Sequence, residues 1–166
     1  MNVKNNEGVS TITISNKEFY GIVLGSEYWG VNFDSVTSEN NFDYKIISKN
    51  QIAYNPSRAN VGSIGINVTN NSYSVSKMYI TFEIYNPEYL PEYVYLFLKS
   101  SEGIEEIRTR SFGAVRQILR FEDLTKITIP KIPLSEQNRI CHNARNKYKR
   151  FIDAKKELES FEVFDS

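Results

Sequence analysis

The chain has 166 residues, of which 40% are hydrophobic and 13% aromatic, and this is enough for one domain with its own core and one appended element. Twenty basic residues balance twenty acidic ones, and no apolar run approaches the roughly 18 residues that a membrane span needs. These features exclude a membrane protein and a second full domain, and the polar, Asn-rich start of the chain predicts a cytoplasmic location without export.

The first half of the chain has the pattern of short strands joined by turns. Its apolar segments are rich in β-branched and aromatic residues, and the residues between them are mostly Asn, Ser, Gly and Pro, which favour turns. The predicted strands are Thr11–Ile14, Tyr20–Leu24, Tyr44–Ile47, Gln51–Tyr54, Ser63–Val68 and Met78–Ile84. This half therefore predicts a compact sheet that is antiparallel or barrel-like.

Short helices are predicted in the middle of the chain. Pro91–Ser100 has proline at its first position and apolar residues on one side, and Glu102–Thr109 predicts a second helix. A basic loop interrupted by glycine follows at Arg110–Gln117, and Lys126–Pro130 predicts a last short strand. Residues 1–132 are thus expected to form one β-rich domain.

A long helix is the clearest predicted element. Pro133 and a capping Ser135 open it, and neither Gly nor Pro interrupts it up to about Phe161. Its apolar positions recur in alternating steps of four and three, which is typical of a coiled-coil seam, although packing against its own domain is the alternative. The predicted interface with a partner helix consists of Ile140, Ala144, Tyr148, Phe151, Ala154 and Leu158. The predicted fold class is α+β, with residues 133–166 as a coiled-coil spacer and dimerisation helix.

Charge is distributed unevenly along the neutral chain. From Asn50 to Ser76 the only charged residue is Arg58, and from Ile107 to Phe121 four arginines occur without any acidic residue. Nucleic-acid binding requires a basic surface rather than a basic total, so these two stretches are compatible with phosphate contacts. Chance clustering of solvated charge is the alternative.

No catalytic constellation is recognisable in the sequence. The single cysteine, Cys141, and the single histidine, His142, are adjacent and point about 100° apart on a helix, so both are expected to be structural or solvent-facing. Glu83, Glu88 and Glu92 are scattered over a strand end and a helix start, which favours a solvated acidic face over a metal site. We therefore expect no enzymatic activity, no metal and no cofactor.

Four segments resemble the specificity subunit of type I restriction-modification systems. They are Gln51–Gly65, Ser74–Ile84, Gly113–Pro130 and Ile132–Ile140. The last segment is the most telling, because Pro133-Leu134 followed by Glu136-Gln137 at the start of a long helix is the usual junction in that family. The resemblance implies a target-recognition domain for one half of a split DNA sequence. It also implies a helix that pairs with a counterpart and docks the methyltransferase (M) and restriction (R) subunits.

The resemblance covers half of a usual specificity subunit, which carries two recognition domains and two helices. Three interpretations are open: a natural half-size protein that dimerises, a fragment, or a piece of a fused enzyme. A homodimer through the helix is expected, because pairing raises the effective concentration of the second half-site. Parallel and antiparallel pairing of the helices are both open. The alternative function is an assembly module that is built around the coiled coil and does not bind DNA.

DNA contacts are expected from two loops if the resemblance holds. Arginine can bind guanine and Asn or Gln can bind adenine through paired hydrogen bonds, whereas other basic and hydroxyl groups hold phosphates. The predicted base contacts are Asn55, Arg58 and Gln117, with the Ser57 hydroxyl in the same turn. The predicted phosphate contacts are Arg108, Arg110, Ser111 and Arg116. Tyr54 and Val115 are expected in the core.

Overall fold

The computed structural model of the chain describes residues 9–25 and 44–161. Within these ranges the strands are β1 (Thr11–Ile14), β2 (Ile22–Leu24), β3 (Lys45–Ile47), β4 (Ile52–Tyr54), β5 (Ile64–Ile66), β6 (Tyr73–Val75) and β7 (Ile80–Phe82). The helices are α1 (Pro91–Lys99), α2 (Ser101–Arg110), α3 (Phe121–Leu124) and α4 (Leu134–Glu159), with one 3-10 turn at Ala59–Val61. The α+β class is confirmed. None of the helices in the described ranges is long and apolar enough to cross a bilayer.

Two small sheets form the β-rich body. The first has the order β2-β1-β6-β3, and the second has the order β5-β4-β7. All neighbouring strands are antiparallel except β1 and β6, which are parallel. The prediction of one compact antiparallel or barrel-like sheet therefore needs two corrections: the strands form two sheets, and β6, which was not predicted, pairs in parallel with β1.

Strand β4 is buried on both faces, and this determines where the two cores lie. Ile52 and Tyr54 point to one side, where they pack with residues of β5, α1 and α2 such as Tyr95 and Ile107. Ala53 points to the other side, toward the cluster that includes Ile12 and other residues of the first sheet. Side chains alternate along a strand, so three consecutive buried residues indicate a central strand covered on both sides.

The helices of the body cover the second sheet. Pro91 lies at the start of α1, as predicted, since its missing amide hydrogen is not needed there. Ser100 ends α1 and caps α2 by accepting a hydrogen bond from the Gly103 amide at 3.1 Å. Buried apolar residues of both helices complete the core around Tyr54.

Two local predictions near the start of α4 are wrong. Lys126–Pro130 is not a strand: Ile127 and Ile129 pack against the core, but no described strand pairs with this segment. Pro133 rather than Ser135 occupies the cap position of α4, and Ser135 lies within the first turn. The helix ends at Glu159, close to the predicted end.

The first part of α4 is fixed to the body by Gln137, which is fully buried. Its Nε2 donates to the carbonyl oxygens of Glu88 at 2.7 Å and Ile132 at 2.9 Å, and its Oε1 accepts from the amide of Leu90 at 2.8 Å. All hydrogen-bonding groups of this amide except one lone pair are thus used. The Gln137 side chain thus joins α4 to the segment that precedes α1, at Glu88 and Leu90, and to the residues that precede α4, at Ile132.

Cys141 lies one turn further along α4 and is also buried. Burial, with a contribution from the Glu92 carboxylate, raises the pKa of its thiol to about 11. His142 beside it is exposed, and its Nε2 lies 3.0 Å from the Asn146 amide nitrogen. Both residues thus have the structural or solvent-facing positions that were expected.

Candidate nucleic-acid interface

The Asn55–Arg58 turn is held by the side chain of its first residue. Asn55 Oδ1 accepts from the Ser57 amide at 3.0 Å, and the Asn55 carbonyl accepts from the Arg58 amide at 3.0 Å. This is the local hydrogen bonding for which Asn is favoured in turns. Asn55 itself is only 8% exposed, whereas Arg58 is exposed. The turn therefore uses its asparagine internally and presents its arginine to solvent.

The 3-10 turn that follows is held by side chains from two distant segments. Asn16 donates through Nδ2 to the Val61 carbonyl at 2.7 Å, and Lys99 donates through Nζ to the Gly62 carbonyl at 2.5 Å. Burial lowers the pKa of Lys99. Contacts from both sides fix the backbone immediately after Arg58, so this loop has a defined position relative to the body.

The basic loop forms a small hairpin, Phe112–Ile118, which we call the basic hairpin. The amide of Phe112 donates to the Ile118 carbonyl at 3.0 Å, and the amide of Ile118 donates to the Phe112 carbonyl at 2.9 Å. Gly113 has φ +140°, and an added Cβ would lie 2.1 Å from the Arg116 carbonyl oxygen. The closed form of the hairpin thus requires glycine at this position.

The tip of the basic hairpin is exposed. Arg116 and Gln117 are both exposed, and Val115 is fully exposed, so the expectation that Val115 belongs to the core is wrong. The reason is the tight bridge between Phe112 and Ile118, which turns the intervening residues away from the body. Tyr54, by contrast, is buried as expected.

The Asn55–Arg58 turn and the basic hairpin lie side by side. The Leu119 amide donates to the Pro56 carbonyl at 3.0 Å, and Arg108 Nε donates to the Asn60 carbonyl at 3.2 Å. Asn60 Nδ2 is also 3.5 Å from Gln117 Oε1. We call the combined surface, Asn55–Val61 with Arg108–Ile118, the arginine face.

The cations of the arginine face differ in how they are paired. Arg108 has a weak ion pair with Glu105 at 3.8 Å, and Arg110 has a closer one with Glu106 at 3.0 Å. Among the described residues, no ion pair involves Arg58 or Arg116. These two guanidinium groups are thus free to bind an anion or a base edge.

Three of the eight predicted contact residues have structural roles in the fold. Asn55 holds its turn, and Ser111 is buried and donates through Oγ to the Ile107 carbonyl at 2.7 Å. Arg110 is half-buried, and its Nη2 pairs with Glu106 Oε2 at 3.0 Å, while its Nε has no hydrogen-bond partner among the described residues. The other five occupy exposed or half-exposed positions of the two adjacent loops: Ser57, Arg58, Arg108, Arg116 and Gln117.

Sequence reasoning missed two residues beside the predicted contacts: Asn60, which joins the two loops, and Lys17, which lies next to Arg58. Asn60 connects Arg108 and Gln117, and Lys17 lines a shallow depression together with Arg58 and Met78. Lys17 is exposed and adds a positive charge next to Arg58. Neither residue has a local sequence signal, because its relevance depends on contacts over more than 40 positions in the chain.

The predicted helix interface is divided between two environments. Ile140, Ala144 and Tyr148 are half-buried, and Tyr148 stacks on Phe19 of the body with 4.8 Å between ring centroids. Tyr148 is therefore committed to the chain's own domain, a contact that the helical spacing alone does not indicate. Beyond it, Phe151 is 61% exposed and Leu158 77% exposed, and Ala154 is exposed too.

A polar cluster beside Tyr148 completes the attachment of α4. Arg145 Nη1 lies 3.2 Å from Glu92 Oε2, and the Tyr20 hydroxyl donates to Glu92 Oε1 at 3.0 Å. Burial and the Glu92 carboxylate raise the pKa of Tyr20 to about 12. Glu92 thus belongs to the helix attachment and not to a free acidic face.

The chain matches a known protein family. The model described as type I restriction modification DNA specificity domain matches residues 2–159. No curated protein matches the chain significantly. The family match covers the β-rich body, the arginine face and all of α4.

Proposed function

Because the chain belongs to the family of type I restriction-modification DNA specificity domains, we propose that it recognises one half of a bipartite DNA sequence and docks the methyltransferase and restriction subunits through α4. The family recognises DNA and is not enzymatic, so the chain is a DNA-recognition module and not an enzyme. In this proposal residues 1–132 form the recognition domain, residues 133–166 form the spacer helix, and the protein acts on DNA in the cytoplasm.

The observation that supports the DNA-binding surface is the joining of two loops that lie about 50 residues apart in sequence. The Pro56–Leu119 and Asn60–Arg108 hydrogen bonds hold the Asn55–Arg58 turn next to the basic hairpin, and this adjacency supports a shared contact with DNA. Neither loop sequence contains an acidic residue. Duplex DNA is a polyanion, and a face that concentrates free arginines on a fixed backbone suits it even though the whole chain is neutral.

The roles within the arginine face follow from exposure and pairing. We assign Arg58 and Gln117 to base edges, with Ser57 beside them, and Arg108 and Arg116 to phosphates. Asn55 and Ser111 act through the backbone geometry that they maintain, because their side chains bond to backbone groups of the chain, whereas the guanidinium of Arg110 pairs with the Glu106 side chain. Each base contact of the paired type contributes about 1 to 3 kcal/mol of discrimination between bases.

Fluorescence anisotropy with labelled duplex DNA tests the proposal. The full chain is titrated at about 50 mM and 200 mM salt, and we expect affinity to fall at least tenfold at the higher salt because counterions compete for phosphates. Competition with unlabelled duplexes selected from a random pool then measures sequence preference. Binding that is absent, or that does not respond to salt, contradicts the proposal.

We further propose that the exposed part of α4 pairs with the same part of a second copy. Phe151 and Leu158 are large apolar side chains that the described part of the body leaves uncovered. Burying a side chain of this size contributes about 1.5 to 3 kcal/mol. A two-fold dimer would place two recognition domains on a palindromic target, at a separation that α4 sets. The same helix is the proposed docking surface for the M and R subunits.

The assembly module without DNA contacts is the alternative function. It is favoured by the same exposed apolar residues of α4, because they account for a partner without any role for the arginine face. The two functions differ in one measurement. If the chain forms its dimer or binds a methyltransferase subunit but shows no salt-dependent DNA binding in either state, the assembly module is the better description.

A further inference from the structure

The tip of the basic hairpin combines an apolar side chain with two polar ones. Val115 is fully exposed, and Arg116 and Gln117, which follow it, are also exposed. The hairpin is closed by two backbone hydrogen bonds, and its base is joined to the Asn55–Arg58 turn through Leu119 and Pro56. Val115 is thus held away from the core by a fixed backbone and not by disorder of the loop.

The base of the hairpin has a second reinforcement. The guanidinium of Arg120 lies 5.8 Å from the centre of the Phe112 ring, and Arg120 is held in turn by Asp123 at 2.7 Å. A cation over an aromatic ring contributes about 0.5 to 1 kcal/mol at an exposed site. The orientation of the hairpin relative to α3 is therefore determined by side chains as well as by the backbone.

The width of the hairpin favours one groove of the DNA. The hairpin is closed by one bridged pair of residues, so its base has about the backbone width of two neighbouring strands, about 4.8 Å, and side chains add several ångströms on each side. The major groove of B-DNA is about 12 Å wide and accepts a two-stranded ribbon, whereas the minor groove is only about 6 Å wide. The hairpin therefore fits the major groove when the arginine face lies on DNA.

We infer that the basic hairpin enters the major groove and that Val115 contacts the 5-methyl group of a thymine. The inference rests on the proposed DNA-recognition function and adds a specificity-determining residue to it. Thymine is the only base with an apolar group in the major groove, and contact with an aliphatic side chain is how proteins recognise it. Gln117 and Arg116 then lie within reach of neighbouring base edges and phosphates.

The test removes the methyl group from the DNA and the valine from the protein. A preferred duplex is first selected from a random pool with the full chain, and each thymine in it is replaced in turn by deoxyuridine, which lacks only the methyl group. Affinities are measured for the wild type, for Val115→Ala and for Val61→Ala. Val61 is a matched control, because it is an exposed valine of the same face but outside the hairpin.

At one thymine position, the effect of deoxyuridine on affinity should differ between the protein variants. For the wild type and for Val61→Ala, deoxyuridine at that position should weaken binding about fourfold, which is the value expected for one buried methyl group. For Val115→Ala, which lacks both γ-methyl groups of valine, the same replacement should have a clearly smaller effect. Val115 is fully exposed, so its substitution leaves the fold intact, and circular dichroism verifies this.

The possible failures are distinguishable. If no duplex is bound or enriched, the DNA-recognition function fails and the inference fails with it. If a duplex is enriched but contains no thymine, or if the effect of deoxyuridine is the same in Val115→Ala as in the wild type, the inference alone is overturned. Replacing guanine by inosine removes an amino group from the minor groove, and coupling of that change to Val115 would also overturn it.

Discussion

The junction between α4 and the body contrasts with the arginine face in how each uses the same kinds of side chain. At the junction, Gln137 is buried with its amide bound to three backbone groups, and Arg145 pairs with Glu92. On the arginine face, Gln117 and Arg116 are exposed, and Arg116 has no ion pair among the described residues. Residue type alone therefore does not separate structural from DNA-contacting residues, whereas burial and internal pairing do.

The largest expected effect is on stability at the junction. Gln137→Ala leaves one amide and two carbonyl groups without their partner, and each such buried group costs about 1 to 3 kcal/mol. We expect the free energy of unfolding in urea to fall by about 3 kcal/mol. Gln117→Ala, the matched control, should change it by less than about 0.5 kcal/mol. If the free energy of unfolding falls equally in the two variants, the two regions do not differ in how far they stabilise the fold.

The second expected effect concerns the exposed half of α4. Phe151→Asp places a charge in the proposed helix interface, and we expect the Kd of the dimer to rise at least about tenfold, since the apolar area of one aromatic side chain is removed. Analytical ultracentrifugation measures this. Asn146→Asp introduces the same charge about 140° away around the helix, so it should leave the dimer unchanged. A wild-type chain that is monomeric at high concentration contradicts the pairing.

The third effect tests the shape of the basic hairpin. In Gly113→Ala the new Cβ meets the Arg116 carbonyl, and the residue retains an unfavourable φ, so the hairpin opens at a cost of about 1 to 3 kcal/mol. We expect DNA affinity to fall more than in Val115→Ala, because Arg116 and Gln117 are displaced together. Anisotropy measures the affinity. The proposal would be weakened if Gly113→Ala bound DNA as well as the wild type.

The smallest effect is a pH dependence at the junction. Burial and Glu92 raise the pKa of Tyr20 to about 12, compared with about 10 in an unfolded chain. A raised pKa contributes stability that is present below pH 10 and is lost as pH rises toward 12. Tyr20→Phe should therefore lose less stability than the wild type between these pH values, as measured by urea unfolding. The decrease should not vanish, because burial also raises the pKa of Tyr54 and Tyr95.

The sequence predicted most of the elements but not how they assemble. Segments rich in β-branched and aromatic residues between turns identified β1 and β4, and the proline at the start of α1 marked that helix. Strand β6 was missed because its three residues follow directly on an Asn-rich turn. Its parallel pairing with β1 joins residues about 60 positions apart, and no local pattern encodes that pairing.

The candidate site was predicted in the same partial way. The two acid-free stretches identified the loops, and the structure joins them through Pro56 and Asn60, whose carbonyl groups carry no sequence signal. Tyr148 fitted the helical seam as well as Phe151 did, yet of the two only Tyr148 has an aromatic partner, Phe19, in the described part of the body. Such partners come from distant segments, so exposure could not be assigned from spacing alone.

The most direct test of DNA recognition by the arginine face is a salt titration of a double variant. In Arg58→Ala/Arg116→Ala both free guanidinium groups of the face are removed. We predict that this variant binds duplex DNA at least about tenfold more weakly than the wild type. The slope of log affinity against log salt concentration should also be smaller by about one for each arginine–phosphate contact that the substitutions remove. Arg139→Ala/Arg150→Ala, which removes the same charge from α4, should retain wild-type affinity. Equal weakening in the two double variants would contradict the assignment of DNA recognition to this face.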